Sequence, residues 1–366
     1  MKTPLLIVQR FYYSFREGFF EYLADNQIEF ELINATTSKG KVKVSPEAKD
    51  KSFILKTFYF HLGDFYVIFP FLFFKLIFIN PKVVVSEGGQ NTINNFQIWL
   101  YSKVFRKKYI IWDLGKGYAD FGASFFRGLY MNLYVRILKR ASFVFGYNTQ
   151  SKSYFESLGI ESEKIIVLNN TIDTRKIASL KEKYIPFVPE ELKGYTGNDF
   201  TFMIFVGALA RTKNIEALAL LLKALGPGYF LIIVGDGPKE YVDELAECFR
   251  GTNHFFAGYK KNEQLFPYYD MASFAVLPGL GGLAINQAMA FGVPVVCKSA
   301  DGAEKDLVRN DETGYIYNDI DDACRYIKSK STDEWKKMGE NAVHLLYAEH
   351  NVESMMERFL LYCNKI

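Results

Sequence analysis

The feature that most constrains this chain is an alternation, run through twice, of short apolar runs rich in β-branched and aromatic residues with longer stretches of helical spacing. A strand buried on both faces reads as such a run, and parallel neighbours need a crossover between them, so the pattern predicts parallel sheets with covering helices. In the first half, strands are expected at residues 5–9, 29–33, 82–86, 109–112 and 142–147, with Phe15, Phe19 and Leu23 spaced four apart on one helical face. In the second half they are expected at 201–206, 229–234, 254–256, 273–277 and 294–297. Between the halves, residues 181–198 gather Pro186, Pro189, Gly194 and Gly197 among mixed charges, which reads as a linker. At 366 residues the chain is longer than one core usually organises. The fold class that follows is α/β: two Rossmann-like domains whose parallel sheets, each with ligand-competent loops at its strand ends, face each other across a cleft.

Composition then removes several classes of function. A formal charge of +3 leaves no field strong enough to imply a nucleic-acid partner. Cys248, Cys297, Cys324 and Cys363 lie far apart, and His61, His254, His344 and His350 lack zinc-ligand spacing, so a reduced, metal-free protein is expected. The start, Met1-Lys2-Thr3-Pro4, leads into an apolar run too short for a secretory signal, which predicts a cytoplasmic location. Residues 65–79 (FYVIFPFLFFKLIFI) fall short of the ~20 a spanning helix needs and are interrupted by Pro70 and Lys75. They are expected to form a heavily buried helix of the first domain. Peripheral contact of its aromatic face with the inner surface of the cytoplasmic membrane is the weaker alternative.

The most specific stretch is residues 273–297 (SFAVLPGLGGLAINQAMAFGVPVVC), which reads as a strand, a loop through Gly279, Gly281 and Gly282, a helix from Leu283, and a second strand. Glycines leave backbone N–H groups unshielded, and a helix N-terminus adds unpaired donors and a positive dipole end, an arrangement suited to a diphosphate. The plainer reading is a tight strand-to-helix turn that needs no ligand. A second signal, residues 205–214 (FVGALARTKN), follows the first strand of the second half. Gly207 lets a ligand approach the backbone, and Arg211 and Lys213 can neutralise a departing diphosphate. Solvated cations are the default for such residues; their place at a strand's carboxyl end singles these two out. In the first half, residues 86–91 (SEGGQN) and 112–117 (WDLGKG) are polar, glycine-bearing loops at strand ends. Glu87 and Asp113 are the candidate partners there for an acceptor hydroxyl, although such carboxylates often serve only as turn or cap residues.

Residues 205–214 and 273–297, with residues 233–238 (IVGDGP), 256–259 (FAGY) and 268–272 (YYDMA), resemble, in order, the successive motifs of family-4 glycosyltransferases, and residues 166–173 (IVLNNTID) resemble the stretch leading into that family's linker. The resemblance covers the second domain almost completely and is faint in the first. It implies the GT-B fold, a nucleoside-diphosphate sugar as co-substrate, no metal or other cofactor, and retention of anomeric configuration. The lack of a glutamate pair, with the Pro-Gly-x-x-Gly-Leu pattern, resembles a polysaccharide-building branch. That implies transfer to a glycan or lipid-linked glycan in capsule, O-antigen or exopolysaccharide synthesis. Carried onto this sequence, Lys213 matches the family's lysine and, with Arg211, meets the leaving diphosphate; Gly207, Gly279, Gly281, Gly282, Leu283 and Gln287 form the donor-binding set. The domains would run 1–180 for the acceptor, 181–198 as linker, 199–346 for the nucleotide sugar, and 347–366 as a helix crossing back to the first domain.

The departures are specific. The family's two glutamates, separated by seven residues, fall on Gly279 and Gln287, and its arginine after the strand-end glycine falls on Ala208. The Gln287 amide can still bond ribose hydroxyls, and Arg211 can stand in for the arginine. In retaining transfer without a metal, the leaving phosphate can itself take the acceptor proton, so no Ser/His/Asp set is required. Two alternatives share the fold. A nucleotide-sugar 2-epimerase needs acidic and histidine residues that four scattered histidines do not supply, whereas a non-catalytic nucleotide-sugar-binding subunit accords with the lost glutamates. A nicotinamide dehydrogenase is disfavoured, because Gln9-Arg10-Phe11-Tyr12 stands where a Gly-x-Gly-x-x-Gly would follow the first strand.

Overall fold

The computed structural model describes residues 4–36, 51–62, 66–115, 125–197, 199–300 and 302–364. Its contacts divide the chain into two compact units, Met1–Asn170 with Glu353–Ile366, and Thr171–Val352.

The first unit opens on β1 (Leu5–Phe11), buried along its whole length as a central parallel strand must be. In α1 (Glu17–Asp25), Phe19 and Leu23 turn inward while Phe15, just ahead of the helix, stays exposed. There follow β2 (Phe30–Ala35), the hairpin strands β3 (Phe60–Leu62) and β4 (Tyr66–Ile68), α2 (Leu72–Ile79), β5 (Val83–Glu87) and α3 (Thr92–Phe105). The unit continues with β6 (Lys108–Asp113), α4 (Phe125–Leu138), β7 (Phe143–Gly146), α5 (Thr149–Ser157) and β8 (Ile165–Val167). Its main sheet has the order β2-β1-β5-β6-β7-β8, every pairing parallel. The winding therefore reverses between β1 and β5, and the loops leaving those strands part there to open a crevice.

Residues 65–79 do not form one heavily buried helix. Among the described part, β4 and a turn at Pro70 precede α2, which fully buries Leu72 and Leu76 but leaves Phe71, Phe74, Ile77 and Phe78 exposed. An apolar stretch without periodicity does not say how many of its faces are covered, and in α2 only one is.

The second unit repeats the design. After α6 (Thr174–Lys183) come β9 (Thr201–Val206), α7 (Glu216–Leu225), β10 (Tyr229–Val234), α8 (Lys239–Cys248), β11 (His254–Gly258), α9 (Phe266–Met271) and β12 (Phe274–Leu277). Then follow α10 (Leu283–Ala290), β13 (Val295–Lys298), α11 (Ala303–Leu307), β14 (Gly314–Tyr317), α12 (Ile320–Ser329) and α13 (Thr332–Glu349). The order β11-β10-β9-β12-β13-β14 is again all parallel, with its reversal between β9 and β12. The stretch 181–198, whose last residue lies outside the described ones, sits inside this unit. Leu192 is fully buried in the second core, and the Tyr195 ring lies 4.6 Å from Phe230. The prolines and glycines there mark irregular backbone packed on one unit.

The last helix, α14 (Val352–Asn364), belongs from Glu353 onward to the first unit. Phe359 stands 4.9 Å from Phe19, 5.5 Å from Phe145 and 5.8 Å from Trp112, ring centre to ring centre, and Tyr362 meets Phe143 edge-on at 5.0 Å.

Candidate functional site

At the reversal point of the second unit, β9 and β12 end beside each other and their loops interlock. A 3-10 turn at Arg211–Lys213 brings the Lys213 ammonium onto the carbonyl of Leu280. In return the Leu280 N–H donates to the Thr212 carbonyl at 3.3 Å, and the Asn214 amide reaches the Pro278 carbonyl at 3.5 Å. Gly279 is set by this contact: a Cβ there would stand 2.6–2.7 Å from backbone atoms of Thr212 and Lys213. No side chain fits at position 279 while the loops meet this way, so the absent glutamate is part of the loop architecture. Gly282, at the N-cap of α10, has φ 53° and ψ −137°, a backbone region open in practice to glycine. The first bonds closing α10 run from Ala284 to Gly281 at 3.2 Å and from Ile285 to Gly282 at 3.3 Å. The N–H groups of Gly281, Gly282 and Leu283 precede them and are the donors a helix start offers to an anion. One turn on, Gln287 accepts a hydrogen bond from Tyr269 at 3.4 Å, while Asn286 beside it is buried and donates to Thr171 at 3.3 Å.

Just past β9, Gly207 donates its N–H to the Val234 carbonyl of β10 at 3.0 Å, and Lys213, Gly279, Gly281, Gly282, Leu283 and Gln287 are brought to one loop and helix start. Arg211 is not. Its guanidinium turns to α8, where it meets both carboxylate oxygens of Glu244 at 2.8 and 2.6 Å and lies 4.9 Å from the Tyr241 ring centre.

At the reversal point of the first unit, the loop after β5 is held from behind by buried amides. Asn95 donates to the Glu87 carbonyl at 2.9 Å, and Asn91 donates to the Ser86 hydroxyl at 3.1 Å. Ser86 and Asn91 are engaged in this support, leaving Glu87 and Gln90 toward β1. Glu87 receives the Arg10 guanidinium at 2.7 Å, the Arg10 backbone N–H at 2.8 Å and the Tyr13 hydroxyl at 3.1 Å, and Arg10 also donates to Gln90. Burial pushes the Glu87 carboxyl up, but the charge and hydrogen bonds of Arg10 outweigh it, so its pKa lies below the ordinary carboxylate value. Asp113, the last residue of β6, behaves oppositely. Burial, with the Glu87 charge nearby, raises it to about 7, although its oxygens accept the Gly115 N–H at 3.1 Å and the Tyr134 hydroxyl. Residues 116 and 117 of its loop lie outside the described residues. Arg16 completes the crevice, its guanidinium 3.7 Å from the Trp112 ring centre and bonded to the Tyr147 hydroxyl. Arg10 and Arg16 are functional candidates that sequence reasoning passed over. For Arg10 the signal was the pair Gln9-Arg10 interrupting the apolar run Leu5–Phe11, a position where a cation has no packing reason to be.

Among the described residues, no group of three or more His, Cys, Asp or Glu is placed to hold a metal, and no helix is long and apolar enough to cross a membrane.

Two Rossmann-like units in succession, each with a polar, glycine-bearing crevice where its sheet reverses, define the class: the α/β architecture of the GT-B fold. Residues 193–344, most of the second unit, match the family model described as glycosyl transferases group 1. Solved structures extend the likeness over the whole chain. HepE of Anabaena, in complex with UDP and glucose, is 13% identical with a TM-score of 0.73 over all of both chains. A glycosyltransferase from Rickettsia africae is 14% identical with a TM-score of 0.72, covering 100% of this chain and 99% of that one. The sucrose-phosphate synthase of Thermosynechococcus elongatus is 16% identical with a TM-score of 0.69 over 98% of each. At these identities the likeness establishes the fold, and it is the two-unit α/β fold expected from the sequence. No curated protein matches the chain by sequence.

Proposed function

We propose that this chain is a retaining, metal-independent glycosyltransferase that moves a sugar from a nucleoside diphosphate to a glycan or lipid-linked glycan in surface-polysaccharide synthesis, working at the inner face of the cytoplasmic membrane. The observation that carries the reading is the interlocked loop pair of the second unit, where Lys213 is anchored on the Leu280 carbonyl beside the N–H groups that begin α10. In this assignment the N–H groups of Gly281, Gly282 and Leu283 hold the diphosphate, Gly207 admits the donor to the strand end, and Gln287 bonds the ribose. As the bond between the sugar and the β-phosphate oxygen breaks, Lys213 meets the charge developing on that oxygen. The departing phosphate takes the proton of the attacking hydroxyl, so the acceptor oxygen replaces the phosphate oxygen on the sugar without a protein base. Arg211 supports the same charge only after leaving Glu244, which makes it the lesser of the two cations. The acceptor is assigned to the first unit, at Glu87 and Asp113.

HepE binds UDP and glucose, which puts UDP-sugars first among donors to test. The experiment is a melting-temperature screen of nucleoside-diphosphate sugars, followed by transfer assays with the ligands that stabilise. A donor at a hundred times its dissociation constant stabilises by about 2.7 kcal/mol. The expected result is a rise with at least one such donor that weakens in Lys213→Ala; no rise with any of them would overturn the reading. A non-catalytic donor-binding subunit is the second reading, favoured by the packing that forbids a carboxylate at Gly279. It predicts donor binding with neither transfer nor slow donor hydrolysis.

A further inference from the structure

We propose that the exposed face of α2 and α3, with the basic groove beside it, docks the first unit onto an anionic phospholipid bilayer. The apolar part comes from two helices. Ile93, Phe96, Leu100 and Val104 are all exposed and recur at helical spacing, so they form one stripe along α3. On one side of the stripe lies α2, fixed by Gln97 of α3, which accepts the Phe73 N–H at 3.2 Å and donates to the Phe69 carbonyl at 3.0 Å. There Phe74 is 68% and Phe78 92% exposed. Isolated exposed apolar residues are ordinary, but large aromatics clustered over two packed helices are the composition of a surface that meets something other than water.

Charge says what that is. On the other side of the stripe, Trp99 and Lys103 lead into a groove of about 400 Å³ also lined by Lys107, Lys139, Arg140 and Lys164. Among the described residues, only Lys164 of these cations is ion-paired, with Glu161 at 2.9 Å. Lys103 and Arg140 instead lie 5.5 and 5.6 Å from the Trp99 ring centre. Across residues 66–140 the sequence holds eleven Lys and Arg against three Asp and Glu. Of those three, Glu87 faces Arg10 in the crevice, Asp113 is buried, and Asp120 lies outside the described residues. The whole chain carries only +3, so this imbalance is local to the stretch of sequence that supplies the aromatics and four of the groove's five cations. Apolar side chains that enter the acyl boundary, rimmed by cations that meet lipid phosphates, are the two terms that hold a protein on an anionic bilayer. Among the described residues the groove's cations meet one carboxylate, Glu161 on Lys164, so Lys103, Lys107, Lys139 and Arg140 are placed to meet lipid phosphates.

The inference rests on the proposed activity only for its purpose, bringing the first unit to a lipid-linked acceptor; the surface is argued on its own chemistry. The test is co-sedimentation of the full chain with vesicles of phosphatidylcholine alone or mixed with phosphatidylglycerol, alongside the melting temperature, the sedimentation state and UDP-sugar binding. The expected result is binding at least about tenfold tighter to the mixed vesicles, weakened by salt. Phe74→Ser with Phe78→Ser should lose about tenfold or more of that binding, and Lys103→Glu with Arg140→Glu should abolish the preference for phosphatidylglycerol, both with unchanged melting and UDP-sugar binding. Variants that sediment like the parent, or a parent that ignores anionic vesicles, would overturn the proposal. So would a dimer that dissociates in Phe78→Ser without vesicle binding, which would make the face an interface between copies. Lost UDP-sugar binding with vesicle binding intact would count against the proposed activity and leave this surface standing.

Discussion

Lys213 and Arg211 stand two residues apart on one 3-10 turn, yet their charges are engaged differently: one on a loop carbonyl beside the start of α10, the other by the Glu244 carboxylate. Lys213→Ala should therefore lower kcat/KM for transfer by about a hundredfold with little change in melting, whereas Arg211→Ala should cost less than about tenfold. Steady-state kinetics of both variants decide this, and equal losses would restore Arg211 to the site. In the first unit, Asp113 offers a test by pH. An aspartate in an unfolded chain titrates near ~3.9, whereas buried Asp113 titrates at about 7. Between those values the folded protein holds a proton that the unfolded chain has lost, so this group's contribution to stability falls as pH rises from about 4 to 7 and is level above. Asp113→Asn reproduces the protonated form, since its amide can donate to the Tyr134 hydroxyl while its oxygen accepts the Gly115 N–H. The variant should gain stability over the parent across that interval, read as diverging melting temperatures between pH 5 and 7. Parallel curves would mean that the crevice holds an ionised aspartate throughout.

The long central strands were legible because burial on both faces leaves an unbroken apolar run, as in β10 and the Leu5–Val8 part of β1. The short β8 and β14, at the sheet edges, and the hairpin of β3 and β4 were not, because three or four residues that are only partly buried give too little pattern to separate a strand from an extended loop. The start of α10 was readable from its glycines, but glycine in a sequence does not distinguish a ligand's approach from a neighbouring loop's. The structure separates the positions. At Gly279 a Cβ would strike backbone of Thr212 and Lys213, whereas at Gly281 it would meet only side chains, Ile285 at 2.8 Å from its Cδ1 and Leu277 at 3.5 Å from its Cδ1. Gly279→Ala should thus destabilise the second unit by about 1–3 kcal/mol, while Gly281→Ala should cost less, because side-chain ends can give way, and weaken donor binding by displacing the loop's N–H groups. Chemical denaturation and donor titration separate the two effects. Unchanged donor affinity in a well-folded Gly281→Ala would reduce the loop to a turn. Gly282 is unsuited to this test, since any side chain there would strain the backbone whether or not a ligand binds.

At the scale of the whole molecule, the chain's order and its units do not coincide, because the first unit is completed by the last helix. Phe359 fills a space between Phe19 of α1, Trp112 of β6 and Phe145 of β7, and Cys363 near the end of α14 is buried. Lys108, at the start of β6, donates to the Cys363 carbonyl at 3.3 Å. Removing a buried phenylalanine side chain costs about 3–5 kcal/mol, a large share of the ~5–15 kcal/mol that holds a domain together. Phe359→Ala should consequently lower the melting of the first unit alone, and a chain ending at Asn351 should leave that unit unfolded or loosely packed. The second unit keeps its complete six-stranded sheet and the loop pair around Lys213, so its transition and its donor binding should survive. Calorimetry should then resolve two transitions with only one displaced, and amide exchange in the truncated chain should accelerate in β1, β5, β6 and β7 while β9, β10 and β12 stay protected. Normal exchange in the first unit after truncation would show that α14 adds nothing to its core. Loss of protection in both sheets at once would show instead that the two units unfold as one.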